Sequence, residues 1–413
     1  MPDLAAVPVS FILFGLTLLG VALFHRHTLA VAVSGLSVIL AYSLIVERID
    51  LVAHMKHEWV ILANLFGLLL GFTILADCFH RSQLPEHLPR FLPDGFKGAF
   101  SLLVLIFILS AFLDNIAAAM IGGTVAATVF QRRVHVGYLA AIVAAANAGG
   151  AGSVVGDTTT TMMWIDGVSP LAVVHAYGGS VVALLVVGTI ASAQQTRYVP
   201  ILAQPIHTPR IDRGHLGIVA FVMAVAVTTN FLMNTEFHEY ADSFPFLAVA
   251  VAAALLACAP LRAPNWGLLP GAIRGSLFLL ALVMAASLMP VSDLPDPSWQ
   301  STLALGFVSA VFDNIPLTKL ALSQGGYDWG ALAYAVGFGG SMVWFGSSAG
   351  VALSNIYPEA RSAGRWLRHG WHVPLGYVLG FATLIAIFGW DPPPHHKPLS
   401  EQVTRPAPQL LPN

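Results

Sequence analysis

Two aspartate–asparagine pairs sit inside otherwise apolar runs, and the runs match each other. The first reads Ser110-Ala-Phe-Leu-Asp114-Asn115-Ile116 and the second Ser309-Ala-Val-Phe-Asp313-Asn314-Ile315. A glycine-rich stretch follows each pair, Gly149-Gly150-Ala-Gly-Ser-Val-Val-Gly156 and Gly339-Gly340-Ser-Met-Val-Trp-Phe-Gly346, with six positions from the second glycine to the last in both. Carboxylates, amides and freed backbone carbonyls are hard oxygen donors, suited to a small cation or a proton. Charge and helix-breaking residues at membrane depth are costly unless they line a polar cavity. The same costly device in corresponding places of two half-chains points to the binding site of a secondary transporter.

The stretch from Ala146 to Thr161 carries the most chemistry. Four glycines in eight residues, 149–156, do not suit a helix interior, where each costs about 1 kcal/mol relative to alanine. An unwound segment there exposes its carbonyls, and Asn147, Ser153, Asp157 and the threonines Thr158–Thr161 add side-chain oxygens beside them, suited to a cation such as Na⁺. The Asp114 and Asp313 carboxylates sit where a cation or a proton could reach them. A small-residue packing face would also explain the glycines, but it has no place for Asp157. Asp114 and Asp313 could equally cap the helices that follow them, and both roles are compatible.

Lys319 lies six residues after Asp313, with Met120 at the corresponding place in the first half. It can pair with a carboxylate, replace a second cation, meet an anionic substrate together with Ser341, Ser347 and Ser348, or snorkel to the outer surface. His54-Met-Lys-His57-Glu58 does not match the HExxH spacing of zinc proteases. Asp77, His175 and Lys56 lie near segment boundaries and read as interfacial.

The elements that must position these residues are transmembrane helices. The chain is 56% hydrophobic and 10% charged, with a mean hydropathy of +0.75, which excludes an ordinary soluble fold and a nucleic-acid binder. Cys78 and Cys258, the two cysteines, suggest neither a metal site nor a disulfide framework. Met1–Ser10 lacks a basic start, so the first apolar run reads as a retained span. Apolar segments organise as a first repeat over 1–191, with a re-entrant hairpin at 98–130 and a broken helix at 136–164. A polar linker at 192–215 leads to a second repeat over 216–390, with a hairpin at 301–322 and a broken helix at 330–355. Residues 391–413 read as a disordered tail.

The fold class expected is therefore an all-α polytopic membrane protein of two inverted repeats, five transmembrane helices each. If both interrupted runs are hairpins, fourteen of the 19 basic residues fall on one side, among them Arg132, Arg133 and Arg361. If the runs cross once, that asymmetry collapses. The positive-inside bias favours hairpins, with both termini on the non-cytoplasmic side. Glu47, Asp50, Glu58 and Asp166 are among the acids assigned to the face opposite the basic one. The partners implied are the lipid bilayer and small ions, with no cofactor beyond the coupling Na⁺ and H⁺.

Asn147-Ala-Gly-Gly-Ala, Gly156-Asp157-Thr-Thr-Thr-Thr161-Met-Met-Trp164 and the two Asp-Asn pairs resemble the NhaD-type sodium/proton antiporters. That family stands in a larger ion transporter superfamily with arsenite permeases and citrate or dicarboxylate carriers. The resemblance runs from about Trp59 to Trp390. It implies Na⁺ or Li⁺ exchange for H⁺ by an elevator-type motion, commonly as a homodimer, in a bacterial inner (plasma) membrane. Carried over by motif, it also implies Asp114, Asn115, Asn147, Asp157, Thr159, Thr160, Ser309, Asp313 and Asn314 as ion- and proton-binding residues, with the Na⁺ site at Asn147, Asp157, Thr159 and Thr160. Lys319 falls where that pattern is apolar, which keeps a Na⁺- or H⁺-coupled carrier of a small anion open. An intramembrane aspartyl protease is the remote alternative. It lacks a Tyr-Asp context at Asp114 and leaves the repeat around Asp313 without purpose.

The basic-residue asymmetry makes a direct prediction. Single cysteines at positions 132 and 361 should be blocked by thiol reagents only after the membrane is made permeable. Labelling of either from outside intact cells would overturn the hairpin topology.

Overall fold

The computed structural model describes residues 8–24, 27–87, 90, 92–201, 210–237, 240, 243–291 and 294–393. The tail beyond 393, the 202–209 part of the expected linker and Arg26 lie outside the described residues. All regular structure among the described residues is helical. The chain begins with α1 (Val9–Leu23), α2 (Thr28–Tyr42) and the long α3 (Leu51–Arg81). Asp50 starts α3 by accepting the Val52 and Ala53 amides at 2.9 and 3.1 Å. The helix outruns the apolar segment at both ends, and its last turn carries an Asp77–Arg81 ion pair at 2.8 Å.

Next come α4 (Gly95–Ser110) and α5 (Asn115–Val129), then α6 (Val136–Ala151), α7 (Thr158–Ile165) and α8 (Ala176–Tyr198). The Tyr138 hydroxyl donates to the Ala99 carbonyl at the start of α4, 2.6 Å away. The same ring meets Phe130, just past the end of α5, edge-on at 5.3 Å between centroids. A single helix would put Ala99 and Phe130 about 46 Å apart at 1.5 Å per residue. Shared contact with one tyrosine means that α5 returns beside α4.

The second half supplies α9 (Arg213–Thr235), α10 (Phe246–Cys258), α11 (Leu269–Ser287), α12 (Trp299–Ser309), α13 (Asn314–Gln324), α14 (Trp329–Gly339) and α15 (Ser348–Ile356). Two further helices follow, α16 (Ala363–His369) and α17 (His372–Phe388), bent 59° from one another. Gln324 at the end of α13 donates to the Pro295 carbonyl, 2.8 Å away and just ahead of α12. This arm too returns to where it entered. Among the described residues, five helices are each long and apolar enough to cross a membrane alone, six if the bent pair is one span.

One boundary differs from the sequence reading. Residues 192–198, placed in the linker for their polarity, continue α8 as helix. The reason is local hydrogen bonding. Gln195 is buried, accepts the His135 amide at 2.7 Å and donates to the Arg133 and Val199 carbonyls at 3.2 and 3.0 Å. A polar residue that satisfies the backbone at the exit of a hairpin belongs to the fold.

The breaks between α6 and α7 and between α14 and α15 are built alike. At both Gly150 and Gly340, an added Cβ would stand 2.8 Å from the carbonyl of the break's last glycine, Gly156 or Gly346. It would also stand 3.1 Å from the Cβ of the next residue, Asp157 or Ser347. Gly149 lies against the Phe107 backbone of the first hairpin and Gly339 against that of Gly306 in the second, each too close for any side chain. Ser153 donates to the Ala111 carbonyl at 2.6 Å, tying the first break to its hairpin tip. Ser309 donates to the Val336 carbonyl at 2.7 Å, tying the second hairpin to α14.

The apolar interior divides into three clusters. The largest gathers the hairpins, the broken helices, α8 and α17. A second joins α3 with α9 and α10, and a third joins α1, α2 and α11. Cys78 and Cys258 are free and buried in the second.

Gly149→Ala should therefore drive a methyl into the Phe107 carbonyl and lower stability by about 1–3 kcal/mol, the usual cost of overpacking. Gly217→Ala, on an exposed stretch of α9 with open space around it, should keep or raise stability by up to about 1 kcal/mol through helix propensity. Thermal unfolding of the detergent-purified proteins checks both. Equal melting temperatures would show that the close approach is not needed.

Candidate functional site

Four helices begin inside the largest cluster, and each begins on an oxygen-bearing side chain. Asp114 accepts the Ile116 amide of α5 at 3.5 Å, and Asp157 accepts the Thr159 amide of α7 at 3.2 Å. Asp313 accepts the Ile315 amide of α13 at 3.0 Å, and Ser347 accepts the Gly350 amide of α15 at 3.3 Å. Helix N-termini carry unsatisfied amides and a partial positive charge, so a carboxylate there is doubly favoured. The hairpin acids are half-buried, whereas Asp157 is 2% exposed.

A buried polar chain connects the two breaks. The Asn115 amide donates to Asn147 Oδ1 at 3.1 Å and, more weakly, to Asp157 Oδ1 at 3.5 Å. The Asn147 amide donates in turn to Ser341 Oγ, 2.9 Å away in the second break. Asn147 and Ser341 are fully buried, so these bonds are made in a site from which bulk water is excluded and an unmade bond is costly. The Thr159 amide and hydroxyl and the Asn115 amide are neutral donors facing the Asp157 carboxylate. Asp114 and Asp313 both lie within electrostatic reach of Asp157. Among the described residues no three His, Cys, Asp or Glu side chains are grouped to hold a metal ion. The arrangement is one deep carboxylate among neutral oxygens, which matches the charge of a monovalent cation or a proton better than that of a divalent one.

The remaining residues singled out in the sequence divide clearly. Thr160 Oγ1 donates to the Ser153 and Asp157 carbonyls at 2.5 and 2.9 Å, and Thr161 Oγ1 to the Val154 and Asp157 carbonyls at 2.8 Å each. These threonines repair the carbonyls that the break exposes. Ser348 Oγ lies 3.4 Å from Asp313 Oδ2. Asn314 is buried beside Asp313 but makes no hydrogen bond to the Asn115–Asn147–Ser341 chain. Ser309 is occupied with the Val336 carbonyl. Its counterpart Ser110 is buried with no partner.

Lys319 does not snorkel. Its ammonium lies 2.9 Å from Glu58 Oε1 and 2.8 Å from Oε2, and the two residues are 4% and 5% exposed. Glu58, assigned from sequence to an acidic outer face, is instead buried on α3 as the partner of Lys319. The signal was available. An unmatched intramembrane base requires an acid, and Glu58 adjoins the third apolar run directly.

No family model matches the chain. It is 25% identical over 390 residues to sodium/proton antiporter 1 of Arabidopsis thaliana, covering 84% of this chain and 66% of that protein. It is 27% identical over 324 residues to sodium/proton antiporter 2 of the same plant, covering 69% of this chain and 73% of the relative. A shorter match, 35% identical over 109 residues, is to the Na⁺/H⁺ antiporter NhaD of Alkalimonas amylolytica, covering 24% of this chain and 21% of that one. The likenesses are to named antiporters, and at 66% coverage the chain spans just under two thirds of the first of them.

Proposed function

We propose that this chain is a secondary transporter that exchanges Na⁺ or Li⁺ for protons at Asp157. The observation that carries the reading is the Asp157 carboxylate, 2% exposed and met by neutral donors, the Thr159 amide and hydroxyl and the Asn115 amide. A buried carboxylate met only by neutral donors stays costly unless something positive compensates its charge. A proton or a cation can, and the two exclude each other at one oxygen. That exclusion, in a site that alternates between the two sides of the membrane only when loaded, gives exchange. Asn115 orients the carboxylate, Asn147 links it to the second break, and the hairpin acids Asp114 and Asp313 add negative charge at the rim.

The electrostatics favour a cation over an anion as cargo. Three of the four helix N-termini that could attract an anion already carry a fixed carboxylate. The positive side chain that an anion would need, Lys319, is neutralised by Glu58. The names of the three relatives support the same choice and a transporter over a peptidase. The halves 1–191 and 216–390 act in this reading as inverted repeats, supported by the matched glycine contacts of the two breaks. The largest apolar cluster moves as one body against the α1–α3 and α9–α11 bodies, an elevator-type alternation supported by the division of the interior.

Reconstituted protein with a ΔpH-sensitive dye tests the reading. Addition of Na⁺ or Li⁺ should drive proton movement, and Asp157→Asn should abolish it while the protein remains monodisperse in detergent. Parental rates in Asp157→Asn would reduce that carboxylate to a helix cap. Absence of Na⁺- or Li⁺-driven proton movement at every pH between roughly 6 and 9, where perturbed carboxylates titrate, would overturn exchange itself.

A further inference from the structure

The Glu58–Lys319 pair has no part in the site, yet it is the deepest ion pair among the described residues. Its location decides what it can do. Lys319 is on α13, the returning arm of the second hairpin. That helix faces two ways. Ile315, Leu317, Ala321 and Leu322 belong to the cluster that surrounds Asp157, whereas Leu320 packs against the cluster of α1, α2 and α11. Glu58 is on α3, where Met55 packs against that same third cluster. The pair thus crosses the seam between the body that holds the site and the body beside it.

A buried ion pair is a poor source of net stability, because the cost of desolvation offsets the attraction. Breaking one is another matter, since each charge is then left buried without compensation. Such a pair resists sliding at the seam far more than an apolar contact does, because apolar surfaces exchange one contact for another as they slide. A shift of α13 relative to α3 by one helical turn, about 5.4 Å, separates the two groups beyond ion-pair distance.

We propose that Glu58 is a positioning residue that acts through Lys319, and that the pair is a charge latch which must open each time the site body moves. The inference rests on the transporter reading but not on the identity of the cargo. The latch holds the second hairpin in the position seen here and limits how fast the body leaves it. Asp157 and its neighbours keep their geometry while the latch is closed, so a closed latch permits binding and forbids translocation.

Cross-linking in a Cys78→Ala/Cys258→Ala background tests this. With Glu58→Cys and Lys319→Cys present, a thiol-bridging mercuric ion should lock the seam. The locked protein should keep Na⁺-dependent thermal stabilisation, lose exchange at least tenfold, and recover it on addition of excess thiol. Exchange at the unlocked rate in cross-linked protein would overturn the latch. If the bridge does not form, a double-mutant cycle decides. Glu58→Gln and Lys319→Met should each raise the exchange rate about tenfold, and the combination should be no faster than either alone, as two residues acting through one contact require. Additive effects would overturn it. A cargo-independent readout separates this idea from the exchange reading. In the same background, a Leu320→Cys reporter at the seam should react with maleimide at least tenfold faster in Glu58→Gln than with the pair intact. If the parental protein shows neither Na⁺ stabilisation nor exchange, the exchange reading fails and the Leu320 labelling rate alone decides the latch. An unchanged rate overturns it.

Discussion

Helices that begin inside a membrane protein present their first amides where no water can meet them, and the rest of this structure answers to that constraint. Each free amide group in hydrocarbon costs several kilocalories per mole if nothing accepts it. At Asp114, Asp157, Asp313 and Ser347 the acceptor is a side chain at the cap position. The opposite problem, carbonyls freed by the first break, is met by the Thr160 and Thr161 hydroxyls. Satisfying the backbone thus already gathers carboxylates and hydroxyls around one buried point. The deepest of these carboxylates, Asp157, is met by neutral donors, the Thr159 amide and hydroxyl and the Asn115 amide.

The two halves meet the constraint with the same backbone and different side chains. The matched glycine contacts set Asp157 against Ser347 and, ten residues ahead of each cap, Asn147 against Gly337. A Cβ at Gly337 would stand 3.2 Å from Asp157 Oδ2. The second half therefore brings bare backbone up to the first half's carboxylate where an asparagine would have filled the space. Duplicated architecture supplies two helix breaks, and the divergence between them concentrates the charge in one. The polar chain spreads from the Asn115 amide, which donates to Asp157 Oδ1 and to Asn147 Oδ1, and Asn147 donates on to Ser341 in the second break.

Charge elsewhere in the interior is managed by pairing. Lys319 is paired with Glu58 of α3. The same interaction ties α13 to α3, so the balance of charge and the hold between two helices share one contact. That coupling follows from the low dielectric, where an uncompensated charge acts over long distances and cannot be left alone.

The sequence by itself determined the class of the molecule, its all-helical character and the residues around which the site is built. Charge and glycine inside apolar runs have few physical excuses, so Asp114, Asn147, Asp157 and Asp313 stood out without any knowledge of contacts. Periodicity and composition could not reveal which polar atoms would be consumed by the fold. Only tertiary structure showed that Thr160 and Ser309 spend their hydroxyl protons on carbonyls, that Gln195 extends α8 by anchoring a distant turn, and that Asn115 and Asn147 link Asp157 to the second break. It alone joined Glu58 to Lys319 across 261 positions of chain. Local sequence reports the cost of placing a group in the membrane; what meets that cost is a partner supplied by another helix, and such a partner leaves no mark in the residues beside it.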